Sequence, residues 1–214
     1  MAEKIGLREV RRLERRDRIV GAARRHFLDE GYAATSMSQL HRALGGSKAT
    51  LWSYFASKED LFAAVIEDIT GEFRQELEET LSADEDLERT LIRFNTSFIQ
   101  KTVQPELIAT WRLIVGESGR FPEIGQIFHE RAVMQVERAL SDYLAGEIEA
   151  GRLQGETPDG MASILIGFTG NRQNMRLWGV GVDTDEAIKA DAVRFSRYFL
   201  RLFGVVQPAP ATSG

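Results

Sequence analysis

The sequence predicts an all-α protein, with an amino-terminal three-helix domain, a larger helical body, and about nine helices in total. Three observations carry this. Apolar residues recur three or four apart in segment after segment, and nowhere does apolar-polar alternation mark a strand. Glycine and proline fall mostly between those segments. Between Thr35 and Asp60, three serine caps follow one another at the spacing of short helices.

Residues 1–8 show no helical pattern, and the first predicted helix is Glu9 to Glu30. Ile19, Ala23 and Phe27 share a face with Val20 beside them, while Arg11, Arg12, Arg15, Arg16, Arg18, Arg24 and Arg25 crowd the others. Most of these arginines read as a solvated face, with one or two near the amino end within reach of phosphate. Gly31 ends the helix, and Tyr32 packs beneath the helical hairpin after it.

Ser36 with Gln39 forms a capping box, and Leu40 and Leu44 give the second helix one buried face. Gly45-Gly46 allows the tight turn of a helix-turn-helix, and Ser47 caps a third helix from Lys48 to Phe55. In that helix Leu51 and Phe55 anchor to the body, leaving Lys48, Ala49, Thr50, Trp52, Ser53 and Tyr54 on the other faces. Short side chains, hydrogen-bond donors and a methyl group are the mixture a recognition helix needs in a major groove. A helical hairpin in a globular core is the plainer reading, and the turn and serial caps favour the first. Ser36, Tyr54 and Lys58 are assigned to phosphate. Ser38, Lys48, Thr50 and Ser53 are assigned to base edges, and Ala49 and Trp52 to apolar or backbone contact.

Ser57 with Asp60 caps a long helix from Lys58 to about Thr80, striped by Phe62, Val65, Ile66, Ile69, Phe73 and Leu77. Lys58 sits at its amino end, where free N–H groups and the helix dipole also favour a phosphate. The polar run from Ser82 to Asp86 marks a boundary. Beyond it come Leu87 to Thr102, a helix opened by Pro105, an interruption at GESGRFPEIG with Pro122 as breaker, and Ile124 to Ala150. The loop GRLQGETPDG, then Gly160 to Trp178 and Asp185 to Phe203, complete the body, and QPAPATSG reads as a disordered tail. The expected division is a DNA-binding domain at 1–57, a connecting helix at 58–80, a ligand-binding and dimerisation domain at 81–206, and the tail at 207–214.

Composition narrows the classes. The 214 residues are 43% hydrophobic and include no cysteine, which excludes disulfides and thiolate metal sites and fits a reducing cytoplasm. The nearest approach to a membrane span, Met161 to Gly170, is too short, and the first residues lack a secretory signal. Net charge is −5, but residues 1–60 carry 12 Lys and Arg against 8 Asp and Glu, and the remainder 15 against 24. A basic head on an acidic body suits contact with DNA at one end. The only histidines, His26, His41 and His129, have no ligand spacing, and hydrolase, zinc and phosphate-loop motifs are missing, so no enzyme, metal or cofactor is expected.

The stretch KATLWSYFASKEDLF resembles the recognition-helix signature of the TetR family, and GYAATSMSQLHRALGGS resembles the rest of that family's amino-terminal domain. The likeness runs from about Arg15 to Val65. It departs at His41, Gly46, Ala49, Trp52 and Ala56, where the family commonly has Ala, Val, Gly, Tyr and Pro. TWRLIVGESGRFPEI and YLAGEIEAGRL resemble the carboxy-terminal domain of the AefR-like subgroup. The resemblance implies a homodimer built as a four-helix bundle, and repression. A two-fold dimer would read the two half-sites of a palindromic double-stranded operator. The effector is not carried over by the resemblance, and an apolar, aromatic pocket would suit a hydrophobic or amphipathic small molecule.

The last two helices are the expected dimer contact, through Gly167 and Gly170 on one and Ile188, Ala192, Phe195, Phe199 and Leu202 on the other. Closing a monomeric core is the alternative. Phe94, Phe98, Trp111, Ile114, Phe128, Met134, Phe168 and Met175 are candidates to line an effector cavity, with Asn171 and Asn174 as amides that need partners. Simple core filling is the alternative for each. A helical adaptor for a protein partner is the competing function, and the salt dependence of DNA affinity separates the two.

Overall fold

The computed structural model describes residues 6–45, 48–82, 86–181 and 183–205, and of residues 48–50 only the backbone. Among the described residues the chain is helical, with no strand beyond one isolated bridge between Leu153 and Gly204. The elements are α1 Leu7–Glu30, α2 Met37–Leu44, α3 Lys48–Tyr54, α4 Lys58–Ser82, α5 Leu87–Thr102, α6 Pro105–Glu117, α7 Pro122–Phe128, α8 Met134–Glu149, α9 Pro158–Gly167, α10 Gly170–Leu177 and α11 Asp185–Phe203. A wide π turn at His129–Val133 carries α7 into α8 without a break. The expected long helix Ile124–Ala150 is thus a helical run with an inserted π turn. Pro122 opens it at the first helical turn, where a missing N–H costs nothing, and the interruption lies before it.

Packing divides the chain into two compact units. The first comprises residues 1–72 and 105–134, so α6 and α7 belong with the helix-turn-helix, although the linear division places them in the body. Its core holds Ile19, Val20, Ala23 and Phe27 from α1, Leu40 from α2, Leu51 and Phe55 around α3, and Leu61 to Ile69 from α4. Leu107 and Ile114 of α6 and Ile124 and Phe128 of α7 complete it. Aromatic rings organise the centre: Phe27 stacks on Tyr32 at 5.7 Å, and Phe62 meets the edges of both at 5.2 and 5.3 Å. Arg24 joins three helices, pairing with Glu106 and, at 2.8 Å, with Asp68. Burial opposes its charge, and the two carboxylates outweigh that and hold it firmly protonated.

The second unit comprises residues 73–104 and 135–214. Phe73 and Leu77 of α4, Leu91, Phe94 and Phe98 of α5, Leu140 and Leu144 of α8, Met161 and Leu165 of α9, and Phe199 of α11 form its core. α11 packs chiefly on α5, where buried Asn95 donates to Ser196 at 2.9 Å. The expected helix Gly160–Trp178 is broken. Thr169 turns both its N–H (3.1 Å) and its hydroxyl (2.8 Å) onto the Ile166 carbonyl, closing α9 before Gly170 opens α10. Two glycines flanking a threonine offer the backbone this exit from the helix. α10 buries no residue and is held by Arg172, which pairs with Asp191 and, at 2.8 Å, with Asp183. The tail from Gln207, read as disordered, lies outside the described residues.

Tyr32 gives a test of the first core. Burial, and then the neighbouring Glu59, push its phenol well above the ordinary value of 10.0. The folded state therefore keeps the proton that the unfolded chain gives up, and this contribution is present below about pH 10 and lost as pH rises beyond it. Tyr32→Phe should lower stability by about 0.5–1.5 kcal/mol near neutrality, through loss of the bond to Glu59. It should also flatten the alkaline fall in urea midpoint. An unchanged alkaline slope would contradict this account.

Candidate nucleic-acid interface

The turn between α1 and α2 sets the position of everything after it. Gly31 adopts φ 92°, and Thr35, fully buried, returns its hydroxyl to the Gly31 carbonyl at 2.8 Å. The capping box is present as expected: Ser36 Oγ accepts from the Gln39 N–H at 3.2 Å, and Gln39 Oε1 accepts from the Ser36 N–H at 2.8 Å. The Ser36 hydroxyl also donates to Gln39 Oε1 at 2.7 Å, so the box engages the group that the sequence assigns to phosphate. Ser38 faces solvent on the same helix.

Gly45 ends α2 at φ 66°, and Arg15 reaches its carbonyl at 3.2 Å. Gly46 and Ser47, the expected turn and cap, and the side chains of Lys48, Ala49 and Thr50 lie outside the described residues. Leu51 and Phe55 are buried, as anchors must be, and Arg16 lies over the Phe55 ring at 5.4 Å. Trp52 (42% exposed) and Ser53 face outward, and Tyr54 is half-buried against the core. Arg15 and Arg16 thus brace the helix-turn-helix, a role that a charged face read alone does not reveal. The contacts each span about thirty residues or more, beyond any local pattern.

Ser57 Oγ accepts from the Asp60 N–H at 2.9 Å, opening α4 as predicted. Lys58 departs from the phosphate role assigned to it. Its ammonium donates to the Tyr32 carbonyl and lies 3.8 Å from the Tyr32 ring centre and 5.9 Å from that of Phe121. Burial lowers its pKa from the ordinary lysine value, against the pull of Glu59, Glu117 and Glu123.

The cavity candidates are divided between the two units. Trp111 and Phe128 meet edge to face at 4.9 Å in the first, with Ile114 in the same core and Met134 half-buried at the start of α8. Phe94 and Phe98 stack at 5.5 Å in the second, and Phe168 stacks on Phe195 at 5.9 Å. Asn171, Asn174 and Met175 are exposed on α10, where water satisfies an amide, because the break at Thr169 leaves that helix outside the core. Among the described residues, the amide on a fully buried side chain is that of Asn95, whose carbonyl oxygen has no partner. Of the expected dimer residues, Ile188, Ala192 and Phe199 are buried within the chain's own second unit, because α11 turns them inward. Phe195 and Gly170 are half-buried, and Gly167 and Leu202 (62%) are exposed.

A turned pair of short helices, capped, braced from α1 and presenting one polar and aromatic face, defines a DNA-reading module on a helical scaffold. Comparison with known proteins agrees. The profile described as bacterial regulatory proteins, tetR family, matches residues 19–65. That of the AefR-like transcriptional repressor, C-terminal domain, matches residues 89–205. The chain belongs to the TetR family of DNA-binding transcriptional regulators, which are not enzymes. It is 28% identical over 197 residues to the HTH-type transcriptional regulator BetI of Rhizobium meliloti, covering 89% of this chain and 91% of that one. It is also 28% identical over 209 residues to the HTH-type transcriptional repressor NicS of Pseudomonas putida, covering 90% and 93%. The structure of the flavonoid-responsive regulator FrrA superposes with a TM-score of 0.77 at 29% identity, covering 89% and 97%. No helix among the described residues is long and apolar enough to cross a membrane.

Anchor and surface should separate on mutation. Phe55→Ala is expected to cost about 3–5 kcal/mol of stability, and Ser36→Ala about 0.5–2 kcal/mol through the lost cap. Trp52→Ala, at an exposed site, should stay within about 0.5 kcal/mol. Urea unfolding measures all three, and a Trp52→Ala cost as large as that of Phe55→Ala would mean the ring is an anchor.

Proposed function

We propose that this regulator is a homodimeric repressor that releases a palindromic operator when a hydrophobic or amphipathic small molecule binds its carboxy-terminal domain. One observation supports DNA reading most directly. Leu51 and Phe55 are buried and anchor α3, while Trp52 and Ser53 of α3 and Ser38 of α2 are exposed. Repression is supported by the AefR-like repressor match and by the relative named as a repressor. An effector of apolar, aromatic character is supported by a structural relative named as flavonoid-responsive. A single α3 reads too few bases for selectivity, and two-fold pairing supplies a second half-site. Exposed apolar side chains of the second unit, among them Met175, Trp178, Val180, Tyr198 and Leu202, support pairing with a second copy.

The proposed functional division is a DNA-binding domain at 1–57, the connecting α4, and a ligand-binding and dimerisation domain at 81–206, of which α6 and α7 pack with the helix-turn-helix unit, acting in the cytoplasm where the operator lies. The effector must prefer the conformation that does not fit DNA, and linkage then makes DNA weaken effector binding equally. A coupling of about 1–3 kcal/mol changes occupancy several-fold to a hundredfold.

The test is selection of duplexes from a random pool by the purified chain. The expected product is a palindrome bound with a steep salt dependence, log affinity falling by about 0.9 per phosphate contact per decade of salt. Trp52→Ala should lose affinity for that product while remaining folded. Binding that selects no sequence and ignores salt would overturn the proposal in favour of an adaptor.

A further inference from the structure

Tyr32 is held at four points. Its N–H donates to Glu117 Oε1 at 2.9 Å, and its carbonyl accepts from Lys58. Its hydroxyl donates to Glu59 at 3.1 Å, and its ring meets the Phe121 edge at 5.4 Å. The Ala33 N–H fills the second Glu117 oxygen, Oε2, at 2.7 Å. Two successive backbone amides of the α1–α2 turn are thus forked onto one carboxylate from the last residue of α6. The helix dipole disfavours an acid at that end, so α6 itself does not account for the residue. The same residue shapes the next turn, because its carbonyl accepts from the N–H groups of Arg120 and Phe121, both at 2.9 Å. Gly31 leaves room for the fork: a Cβ there would lie 2.6 Å from Glu117 Oε1.

The fork stands only three residues ahead of the Ser36 cap that starts α2. We propose that Glu117 is a positioning residue for DNA reading, the point through which the α6–α7 segment sets where the helix-turn-helix begins. The proposal rests on α2 and α3 being the DNA-reading elements. Movement of α6 relative to α1 must either carry the turn with it or break two charge-assisted hydrogen bonds, which makes this joint the place where a shift in α6 alters the fit to DNA. Lys58 and Glu59 of α4 hold the other side of the same residue, so Tyr32 registers α4 against α6 as well.

The experiment compares Glu117→Ala and Glu117→Gln with the unmodified chain on two probes: a duplex that chain selects from a random pool, and a scrambled duplex of equal length and composition. Glu117→Ala should weaken the selected duplex about tenfold or more and leave the scrambled duplex and its salt slope unchanged. Glu117→Gln, keeping one oxygen acceptor, should fall between. Amide exchange at Tyr32 and Ala33 should quicken in Glu117→Ala. An unchanged ratio of selected to scrambled affinity, or an equal fall in both, would overturn the proposal and leave Glu117 a contact of the fold alone. If Glu117→Ala does not fold, Glu117→Gln carries the same readout. A chain that selects no duplex at all would fail earlier, at the DNA-reading premise, and would take this proposal with it.

Discussion

The burial of Tyr32 among Phe27, Phe62 and Phe121 is the constraint on which the DNA-reading module depends. α2 and α3, at 8 and 7 residues, are too short to persist alone. They are helical because Leu40, Leu51 and Phe55 are buried against α1 and α4, and because the turn leading into them is fixed. Tyr32 makes that turn a solid object: its ring supplies buried area while its hydroxyl, carbonyl and N–H all find partners, as a buried polar residue requires. The stability of the core and the placement of the recognition helix therefore rest on one residue that cannot itself reach DNA.

Charge in this unit is arranged for more than attraction. The basic excess of the first sixty residues fits a DNA-facing end, but its members divide their work. Arg24 bridges α1, α4 and α6 through Asp68 and Glu106, while Arg15 and Arg16 brace the α2–α3 turn and the end of α3. Lys58, at a helix end suited to phosphate, lies over an aromatic ring instead. A count of cations overstates the number facing phosphate, since Arg15, Arg16, Arg24 and Lys58 each have a partner inside the fold.

Local signals were legible in the sequence and distant ones were not. The caps at Ser36 and Ser57, the anchors Leu51 and Phe55, and the α4 stripe from Phe62 to Leu77 all depend on residues within a turn or two of one another. The break at Thr169 was hidden because Phe168 and Met175 continue an apolar pattern across it, and periodicity does not register a change of backbone direction. Which side of α11 faces inward is decided by α5, about a hundred residues away, so a face with Ile188, Ala192 and Phe199 reads equally as interface or core. Glu117 lies 85 residues from Tyr32, in a segment that reads only as the end of a helix. The candidate site is marked by its local chemistry, and the parts that position it belong to tertiary structure.

The central claim is that two copies of the α2–α3 module read one duplex, and hydroxyl-radical footprinting of the selected duplex tests it most directly. The account predicts two protected patches on one face, centred roughly 34–36 Å apart, one turn of the double helix. A single patch, or protection spread evenly along the duplex, would contradict it.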